Sequence, residues 1–367
     1  MPLLAHMTRI GIIGGGLSGL TVALRRAIAG DDVVLLEAAE RLGGQLHSER
    51  TRGFVVEHGA EGFVARSTAV PELSAVVGLA DELVDQRLHN SYGFDGSALH
   101  ALAPGEAARF LGFQVGSDEL GRGIRSFRSG MQTLSDGLAR FLAGRAELRV
   151  GTRVERLERD ARGWRLLCSG ASESLVVDAL VLATTAADAA RLLSTQYPGE
   201  AATLARASTV SSLTVSLAFR REQVEHPLDG TGFVVATEQQ QQGFRACTFS
   251  SSKLPARAPD GYALLRLFFR PESEDLARLT DADWVERGTK QLARVIAVRG
   301  PAESAWVSRW PSALPVFDSA HRERVEALEA ALSGQNLYLA GAAFHGSGID
   351  AAVRSAEHTA RALGSAP

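Results

Sequence analysis

Cysteine and lysine are nearly absent from this chain of 367 residues. Its two cysteines, Cys168 and Cys247, lie far apart and without a CxxC spacing, which argues against a disulfide framework and a thiolate metal site. Free cysteines usually behave as small buried hydrophobes. Because no disulfide framework is expected, we expect a reducing, cytoplasmic setting. Lys253 and Lys290 are the two lysines, and we attribute the excess of arginine to codon bias.

The chain also lacks a strong charge of one sign, a long apolar segment and a metal-binding motif. The formal net charge is −3 and no run of like charges occurs, so a nucleic-acid partner is not expected. The longest apolar stretches, such as residues 175–183, are far shorter than the roughly 20 residues of a membrane-spanning helix. The first ten residues show no export signal, and no HExxH motif indicates a metal.

What the sequence does have is a βαβ pattern at its N-terminus. Apolar runs and helical periodicity predict a strand at Arg9–Ile13, a helix at Leu17–Ala29 and a second strand at Asp32–Glu37. Hydrophobic residues make up 45% of the chain, which is enough for a sizeable core in one or two domains.

A glycine motif joins the first strand to the helix. Gly14, Gly16 and Gly19 form G-x-G-x-x-G, which permits a tight turn, close approach of a pyrophosphate and helix packing. The helix N-terminus would then point its free N–H groups at the phosphates. Glu37 ends the second strand 18 residues beyond Gly19, where an acid binds the adenosine ribose hydroxyls. This combination predicts a dinucleotide site.

The segment after Glu37 favours FAD over NAD. Residues 40–49 read ERLGGQLHSE and continue past the acid into Arg41 and the pair Gly43–Gly44. Adjacent glycines let the chain approach a diphosphate, and Arg41 can balance its charge, although a solvated surface arginine is the alternative.

The rest of the chain predicts further α/β structure around an inserted antiparallel sheet. Residues 211–269 alternate as strands between Gly, Pro and Asp turns, with residues 239–242 as an exposed hairpin loop. The fold class is therefore α/β, with a discontinuous Rossmann-type FAD-binding domain and an inserted antiparallel-sheet substrate domain. The predicted boundaries are 7–75, 128–195 and 320–367 for the FAD-binding domain and 76–127 and 196–319 for the substrate-binding domain. Other predicted elements are a helix at 130–142, strands at 148–154, 163–168, 174–182 and 335–341, and a helix at 349–363.

Several segments resemble a known family. GGGLSGL at 14–20, EAAERLGG at 37–44 and EHGAEGF at 57–63 resemble the amine-oxidase-like FAD superfamily, whose FAD-binding domain is GR2-like. RACTFSSSKLPARAPDGYALLRLFF at 245–269 is similar to a segment of the protoporphyrinogen oxidases within that superfamily, and the stretches at 309–332 and 336–360 are similar too.

The resemblance implies a set of FAD-binding residues. To the glycine motifs it adds residues 58–61 near the flavin and residue 154 beside the adenine. It also adds a tryptophan near the flavin and the start of the C-terminal helix. The full set is Gly14, Gly15, Gly16, Leu17, Ser18, Gly19, Glu37, Ala38, Arg41, Gly43, Gly44, Gln45, His58, Gly59, Ala60, Glu61, Val154, Trp310, Gly341, Ala342, Ser347, Gly348 and Ile349. For Gly348, a plain turn is the alternative.

The resemblance also implies a reaction. Protoporphyrinogen oxidases remove six electrons from a porphyrinogen in FAD-mediated steps and pass them to oxygen, which becomes hydrogen peroxide. The cofactor carries the redox chemistry, so no catalytic side chain is assigned. The expected substrate is a tetrapyrrole, protoporphyrinogen IX or coproporphyrinogen III. A homodimer or a partner protein could complete the pocket.

The chain departs from that family between about residues 100 and 127, where relatives insert a longer helical segment that covers substrate and touches the membrane. Ser91 aligns with an arginine that anchors a propionate in relatives. Arg109, Arg122, Arg125 or Arg128 could replace it, or could be solvated. The departure leaves open an FAD-dependent oxidase or desaturase of a non-porphyrin molecule, or a non-enzymatic flavin-binding partner protein. Lys253 is expected to be structural, and a surface or core role is expected for His345.

Overall fold

The structure is a computed structural model that describes residues 7–103, 106–107, 123–161, 163–170 and 174–364. Arg109 and Arg122 lie outside the described residues. The strands are β1 Arg9–Ile13, β2 Asp32–Leu36, β3 Ser48–Thr51, β4 Phe54–Glu57, β5 Phe63–Val64, β6 Leu83–Asp85, β7 Tyr92–Phe94, β8 Leu99–Ala101, β9 Ile124–Phe127, β10 Glu147–Arg149, β11 Val154–Asp160, β12 Gly163–Cys168, β13 Leu175–Val177, β14 Ala179–Leu182, β15 Thr209–Arg220, β16 Gly232–Val235, β17 Phe244–Phe249, β18 Tyr262–Phe269, β19 Ser304–Pro315 and β20 Leu337–Leu339. The helices are α1 Leu17–Ala29, α2 Ala69–Val76, α3 Gln132–Leu142, α4 Ala186–Leu193, α5 Pro198–Leu204, α6 Ser250–Lys253, α7 Ser273–Arg278, α8 Asp281–Ala293, α9 Ser319–Leu332, α10 Ala342–His345 and α11 Ile349–Gly364.

A five-stranded parallel sheet in the order β10-β2-β1-β14-β20 forms the first layer. Ile12 of β1 pairs with Leu35 on one side and Val181 on the other. All three side chains are buried, as expected for a parallel sheet that is covered on both faces. Helices α1 and α11 pack together in the core on one face of this sheet. The predicted βαβ unit and fold class are confirmed.

A seven-stranded sheet in the order β19-β15-β18-β17-β16-β7-β8 forms the other large layer. Its neighbours are antiparallel except for β16 and β7, which are parallel. Its core is aromatic, with Phe219, Phe244 and Phe249 fully buried beside Trp284 of α8. The antiparallel sheet predicted for residues 211–269 is confirmed. The domain boundaries given above stay a prediction.

Two strand predictions are wrong because an apolar run does not show where a strand changes sheet. The predicted strand at 174–182 is two strands, since the backbone N–H and carboxylate of Asp178 both bond to Arg9, at 2.8 and 2.7 Å. β13 then pairs with β12, and β14 pairs with β1. The predicted strand at 148–154 ends at Arg149, because Gly151 turns the chain with φ of 61° before β11 begins in another sheet.

Other boundaries differ because of backbone conformation. The helix predicted from residue 130 begins at Gln132, since Gly130 has φ of 94°. The last strand spans only Leu337–Leu339, between Asn336 and Gly341, which both have positive φ. The long edge strand β19 was not predicted, although its residues pair with β15 over most of their length.

The described ranges contain neither a membrane-spanning helix nor a metal-binding cluster. None of the helices in these ranges is long and apolar enough to cross a membrane. The same part of the chain holds no group of three or more His, Cys, Asp or Glu side chains placed to bind a metal ion.

A buried ion pair between Arg257 and Glu57 ties several elements together. The two side chains are 1% and 2% exposed, and Arg257 Nη2 lies 3.4 Å from Glu57 Oε1. The guanidinium also donates to Ser126 Oγ at 2.7 Å and to the carbonyl of Phe127 at 3.2 Å. Glu57 in turn accepts from Ser48 Oγ at 2.6 Å. Burial raises the pKa of Glu57 against the opposing effect of Arg257.

Replacing Arg257 with methionine should lower the free energy of unfolding by about 3–5 kcal/mol, the cost of removing one partner from a buried ion pair. The variant removes the only cation paired with the buried Glu57 carboxylate among the described ion pairs, and one donor from each of the carbonyls of Phe127 and Arg128. Urea unfolding followed by circular dichroism measures the change.

Arg220→Met provides the matched control. Arg220 forms an exposed ion pair with Glu303 at 2.7 Å, and such pairs contribute at most about 1 kcal/mol. Equal losses in the two variants would show that the buried position of Arg257 does not matter.

Candidate functional site

The glycine turn brings the end of β1 and the start of α1 into backbone contact. A Cβ on Gly19 would lie 1.9 Å from the carbonyl oxygen of Gly14, so only glycine fits there. Gly16 is the N-cap of α1, with ordinary φ of −71°, and no side chain caps the helix. The first turn contains no acidic residue, and a Cβ on Gly16 would meet nothing within 4 Å. The helix N-terminus is thus open and uncapped, which suits an anionic group.

Glu37 is fixed at the end of β2 by the backbone on either side. Its two carboxylate oxygens accept hydrogen bonds from Gly15 N at 2.7 Å and Ala39 N at 2.8 Å. Ala38 lies between Glu37 and Ala39 in the same turn. An ionised carboxylate has about four lone-pair sites, so Glu37 keeps capacity for hydroxyl donors. The structure therefore places the predicted ribose acid directly beside the glycine turn.

The second pair of glycines lies against the first motif. Gly43 N donates to Gly15 O at 2.8 Å, and a Cβ on Gly44 would lie 3.2 Å from Gly16 Cα. Arg41 shapes this loop, because its guanidinium donates to the carbonyls of residues 42, 44 and 46 at 2.7–2.9 Å. Partial burial lowers the pKa of Arg41. The glycine pair and the glycine turn form one continuous backbone surface.

Residues 58–61 continue this surface towards the seven-stranded sheet. A Cβ on Gly59 would lie 1.8 Å from Gln45 O, and Ala60 N donates to the same oxygen at 3.2 Å. Trp310 of β19 donates from Nε1 to His58 O at 2.7 Å. The structure therefore brings Gln45, residues 58–60 and Trp310 together, although they lie far apart in the sequence.

Two stacked histidines lie beside this segment. The rings of His47 and His58 are 4.4 Å apart with an interplanar angle of 26°. His58 is bonded through Nδ1 to Ser308 Oγ at 2.7 Å and through Nε2 to Glu49 at 3.3 Å. Burial, together with the positive charge of Arg41, lowers the pKa of His47 to about 4, and burial also lowers the pKa of His58. Both rings are held neutral near pH 7.

Glu61 lies at the centre of a buried group of charges. Lys253 Nζ donates to Glu61 Oε2 at 2.8 Å, and Ser250 Oγ donates to Oε1 at 3.1 Å. Burial alone would raise the pKa of Glu61, but Lys253 and Arg266 outweigh it and the pKa is lowered. Arg266 of β18 donates to Gly59 O at 2.6 Å.

The C-terminal part of the predicted site packs against α1. A Cβ on Gly341 would lie 2.9 Å from Ser18 Oγ, which itself donates to Ala352 O at 3.1 Å. Gly341 N donates to Ser355 Oγ at 2.8 Å, and that hydroxyl is bonded to His345 Nδ1 at 2.6 Å. The remaining predicted residues of this part, Ala342, Ser347, Gly348 and Ile349, lie in α10, in the turn after it and at the start of α11.

Val154 approaches the site from β11. It is buried, and Thr152, two residues earlier, donates from its backbone N to Glu37 O at 2.8 Å. Leu17 is buried in the first turn of α1. Contacts thus join the predicted residues in a line from Glu37 through the glycine turns to residues 58–60, with Val154 two residues from a contact of Glu37 and Gly341 packed on α1.

Four residues with contacts to this line were missed as site residues: Arg266, Ser308, Glu49 and Ser355. Arg266 and Ser308 lie more than 200 residues from their partners along the chain, so spacing gave no signal for them. Glu49 and Ser355 lie 9 and 14 residues from theirs, but no motif marks either residue. The sequence alone offers only the position of Arg266 within an otherwise apolar strand, ALLRLFF, where a charge is unusual.

The residues fit an extended dinucleotide cofactor. The α1 N-terminus is uncapped and free of acids, Gly16 leaves open space, and Glu37 retains acceptor capacity. Residues 12–77 match the family described as NAD(P)-binding Rossmann-like domain, and residues 85–364 match the family described as flavin containing amine oxidoreductase.

Relatives match over nearly the whole chain. A coproporphyrinogen III oxidase of Mycobacterium tuberculosis is 28% identical over 447 residues, covering 94% of this chain and 95% of its own. One of Bacillus subtilis is 22% identical, covering 92% and 94%. Both matches run over more residues than the 367 present here, so these relatives carry segments that this chain lacks. The predicted resemblance to a shortened porphyrinogen oxidase is confirmed.

Solved structures share the fold. A protein of Exiguobacterium sp. described as a candidate protoporphyrinogen oxidase superposes with a TM-score of 0.82 at 23% identity, covering 97% of this chain and 98% of the other. A UDP-galactopyranose mutase superposes with a TM-score of 0.79 at 13% identity, covering 98% and 96%. Since the flavoprotein family covers most of the chain, this protein belongs to the flavin-containing amine oxidoreductases and is an FAD-dependent oxidoreductase.

Proposed function

We propose that this protein oxidises a porphyrinogen to the porphyrin, with oxygen as the final electron acceptor. The observation that carries the proposal is the whole-length match to proteins named coproporphyrinogen III oxidase. The same matches favour coproporphyrinogen III over protoporphyrinogen IX as substrate. A balanced reaction removes six electrons and six protons from the macrocycle and converts three molecules of oxygen to hydrogen peroxide.

The proposed FAD site follows the line of residues described above. The α1 N-terminus and the Gly43–Gly44 turn would hold the diphosphate, Glu37 the ribose and Val154 the adenine. Residues 58–61, Trp310 and the start of α11 would surround the flavin. FAD supplies the electron-accepting chemistry when bound.

The protein's own part in the reaction is binding and orientation. His47 and His58 are held neutral, and Glu61 is ion-paired and buried, so none of the three is a general base with a pKa near 7. A buried aromatic core lies behind β15–β18, and in this proposal that sheet would support a flat substrate. This agrees with chemistry that depends on the cofactor and on position.

The propionates need a cationic partner. Ser91 bonds to Thr231 Oγ1 at 2.9 Å and offers no charge. Arg125 is paired with the exposed Asp85 at 2.9 Å. Arg128 is exposed, and within the described ranges no hydrogen bond or ion pair of its side chain occurs. Of these two arginines, Arg128 is the better candidate for a propionate anchor.

A second candidate is an FAD-dependent oxidase of a non-porphyrin molecule. The shortened chain favours it, because the relatives' extra segments are missing. The predicted alignment of Ser91 with an anchoring arginine favours it as well. Structures with this fold include a cyclohexylamine oxidase of Brevibacterium oxydans, at 16% identity and a TM-score of 0.75. Oxygen as acceptor, a homodimer and a completing partner protein stay predictions.

Gly16→Ala should weaken FAD binding while leaving the apoprotein intact. A Cβ at this position meets no protein atom and the φ is ordinary, so the apoprotein should change by about 1 kcal/mol or less. The same methyl group would stand where the diphosphate approaches the helix. The FAD dissociation constant should rise at least tenfold, about 1.4 kcal/mol, in a titration of apoprotein followed by flavin fluorescence.

Gly199→Ala is the matched control, because Gly199 also has open space around its would-be Cβ but lies in α5. Its FAD affinity should equal that of the parent protein. Parental affinity in Gly16→Ala as well would refute the placement of the diphosphate at α1.

Anaerobic mixing of the purified holoprotein with coproporphyrinogen III should bleach the oxidised flavin band. Protoporphyrinogen IX should bleach it more slowly, and a panel of primary amines should leave it unchanged. Admission of oxygen should then yield porphyrin fluorescence and hydrogen peroxide. Stopped-flow absorbance measures the first step.

A dithionite titration shows that the bound FAD can be reduced in the same preparation. If dithionite bleaches the flavin but neither porphyrinogen does, the porphyrinogen proposal fails for this chain. Bleaching by an amine would establish the second candidate instead.

A further inference from the structure

Five charged side chains are buried together behind residues 58–61. They are Glu57, Glu61, Lys253, Arg257 and Arg266, and the last lies on the central part of the seven-stranded sheet. Both carboxylates act electrostatically on the pKa of Arg266, and all three cations act on the pKa of Glu61. The cluster therefore contains one more cation than carboxylates, and the low-dielectric surroundings screen it poorly.

The pair between Lys253 and Glu61 is the part of the cluster that can be changed most cleanly. Its side chains are 14% and 10% exposed and 2.8 Å apart. Glu61 keeps a second partner, Ser250, and its pKa is also lowered by Arg266. Glu61 can therefore stay ionised when Lys253 is replaced.

Arg266 connects the cluster to the backbone of the proposed flavin-contacting segment. It is 4% exposed, and its Nη2 donates to Gly59 O at 2.6 Å and His58 O at 3.3 Å. Its buried Nε has no hydrogen-bond partner among the described residues. A buried guanidinium that is not fully hydrogen-bonded lowers the free energy of unfolding. Such groups occur often at functional sites.

We propose that this cluster raises the redox potential of the bound flavin. Within it, the positive charge of Lys253 raises the potential and the negative charge of Glu61 lowers it. The inference rests on the proposed placement of the flavin beside residues 58–61. Two-electron reduction makes the flavin more electron-rich, so nearby positive charge stabilises the reduced form. Lys253 thereby becomes a residue that tunes the cofactor electrostatically, beyond the structural role expected from the sequence.

The test compares the flavin midpoint potentials of Lys253→Met and Glu61→Gln with that of the parent holoprotein. Lys253→Met removes positive charge and should lower the potential, whereas Glu61→Gln removes negative charge and should raise it. A tenfold change in the equilibrium constant for two-electron reduction corresponds to about 30 mV, and each single variant should shift by at least this amount. All potentials are measured in one buffer at one pH, because two-electron reduction of a flavin is coupled to proton uptake and its midpoint potential depends on pH.

The double variant Lys253→Met/Glu61→Gln restores the original net charge. Its midpoint potential should differ from that of the parent holoprotein by less than half of the shift seen in either single variant. Lys290→Met is the matched control, since Lys290 is the other lysine and forms an exposed pair with Glu286 on α8. Its potential should not move. Thermal unfolding of each apoprotein reports on folding separately.

Opposite shifts in the two single variants support the proposal. Shifts of the same sign, or lowered melting temperatures with unmoved potentials, would mean that the pair only stabilises the fold and would overturn it. The potentials are obtained by reductive titration without substrate. An unchanged potential thus counts against this inference alone, whereas absence of porphyrinogen oxidation counts against the proposed function alone.

Discussion

Hydrogen bonds from the seven-stranded sheet to the carbonyls of residues 58 and 59 are the contacts on which the assembled site depends. Arg266 of β18 donates to Gly59 O, and Trp310 of β19 donates to His58 O. Both carbonyls belong to a segment that also packs on Gln45, beside the glycine turns. Carbonyls removed from water need donors, so these two side chains tie the segment at residues 58–59 to the antiparallel layer. The proposed FAD site includes this segment, so its position relative to the antiparallel layer depends on the same two bonds.

Close backbone approach explains why so much of the site is glycine. At Gly19 and Gly59 a side chain would collide with a carbonyl oxygen, so the backbone segments can touch directly. Gly16 differs, since a Cβ there meets only open space. Gly19 and Gly59 are required by the packing of the protein itself, whereas no contact within the protein requires a glycine at position 16, which agrees with the proposed diphosphate site there. A sequence motif cannot separate these roles, but the surroundings of each Cα can.

Local patterns carried much of what the sequence predicted. The βαβ unit, its glycine turn and Glu37 lie within one continuous stretch, where periodicity and spacing are informative. The strand change at Asp178 and the edge strand β19 depend on partners elsewhere in the chain, Arg9 and β15. The placement of residues beyond the first unit, such as Trp310, came from family resemblance. The partners Ser308 and Arg266 had neither source, because no local rule records which distant carbonyl or imidazole a side chain will meet.

The two lysines show that the same charge interacts differently at an exposed position and at an enclosed one. Lys290 lies on the outside of α8, paired with Glu286 one turn away, where water screens the interaction. Lys253 ends the short helix α6 and points at Glu61 in the interior. There the pair is held among Arg257, Arg266 and Glu57, and a change of one charge is felt over a longer range because little water intervenes. A chain that places its cations mostly on arginine keeps this single buried lysine at the point where the two layers meet. The charges proposed to act on the flavin therefore belong to five side chains, and of these only Arg266 lies on the seven-stranded sheet.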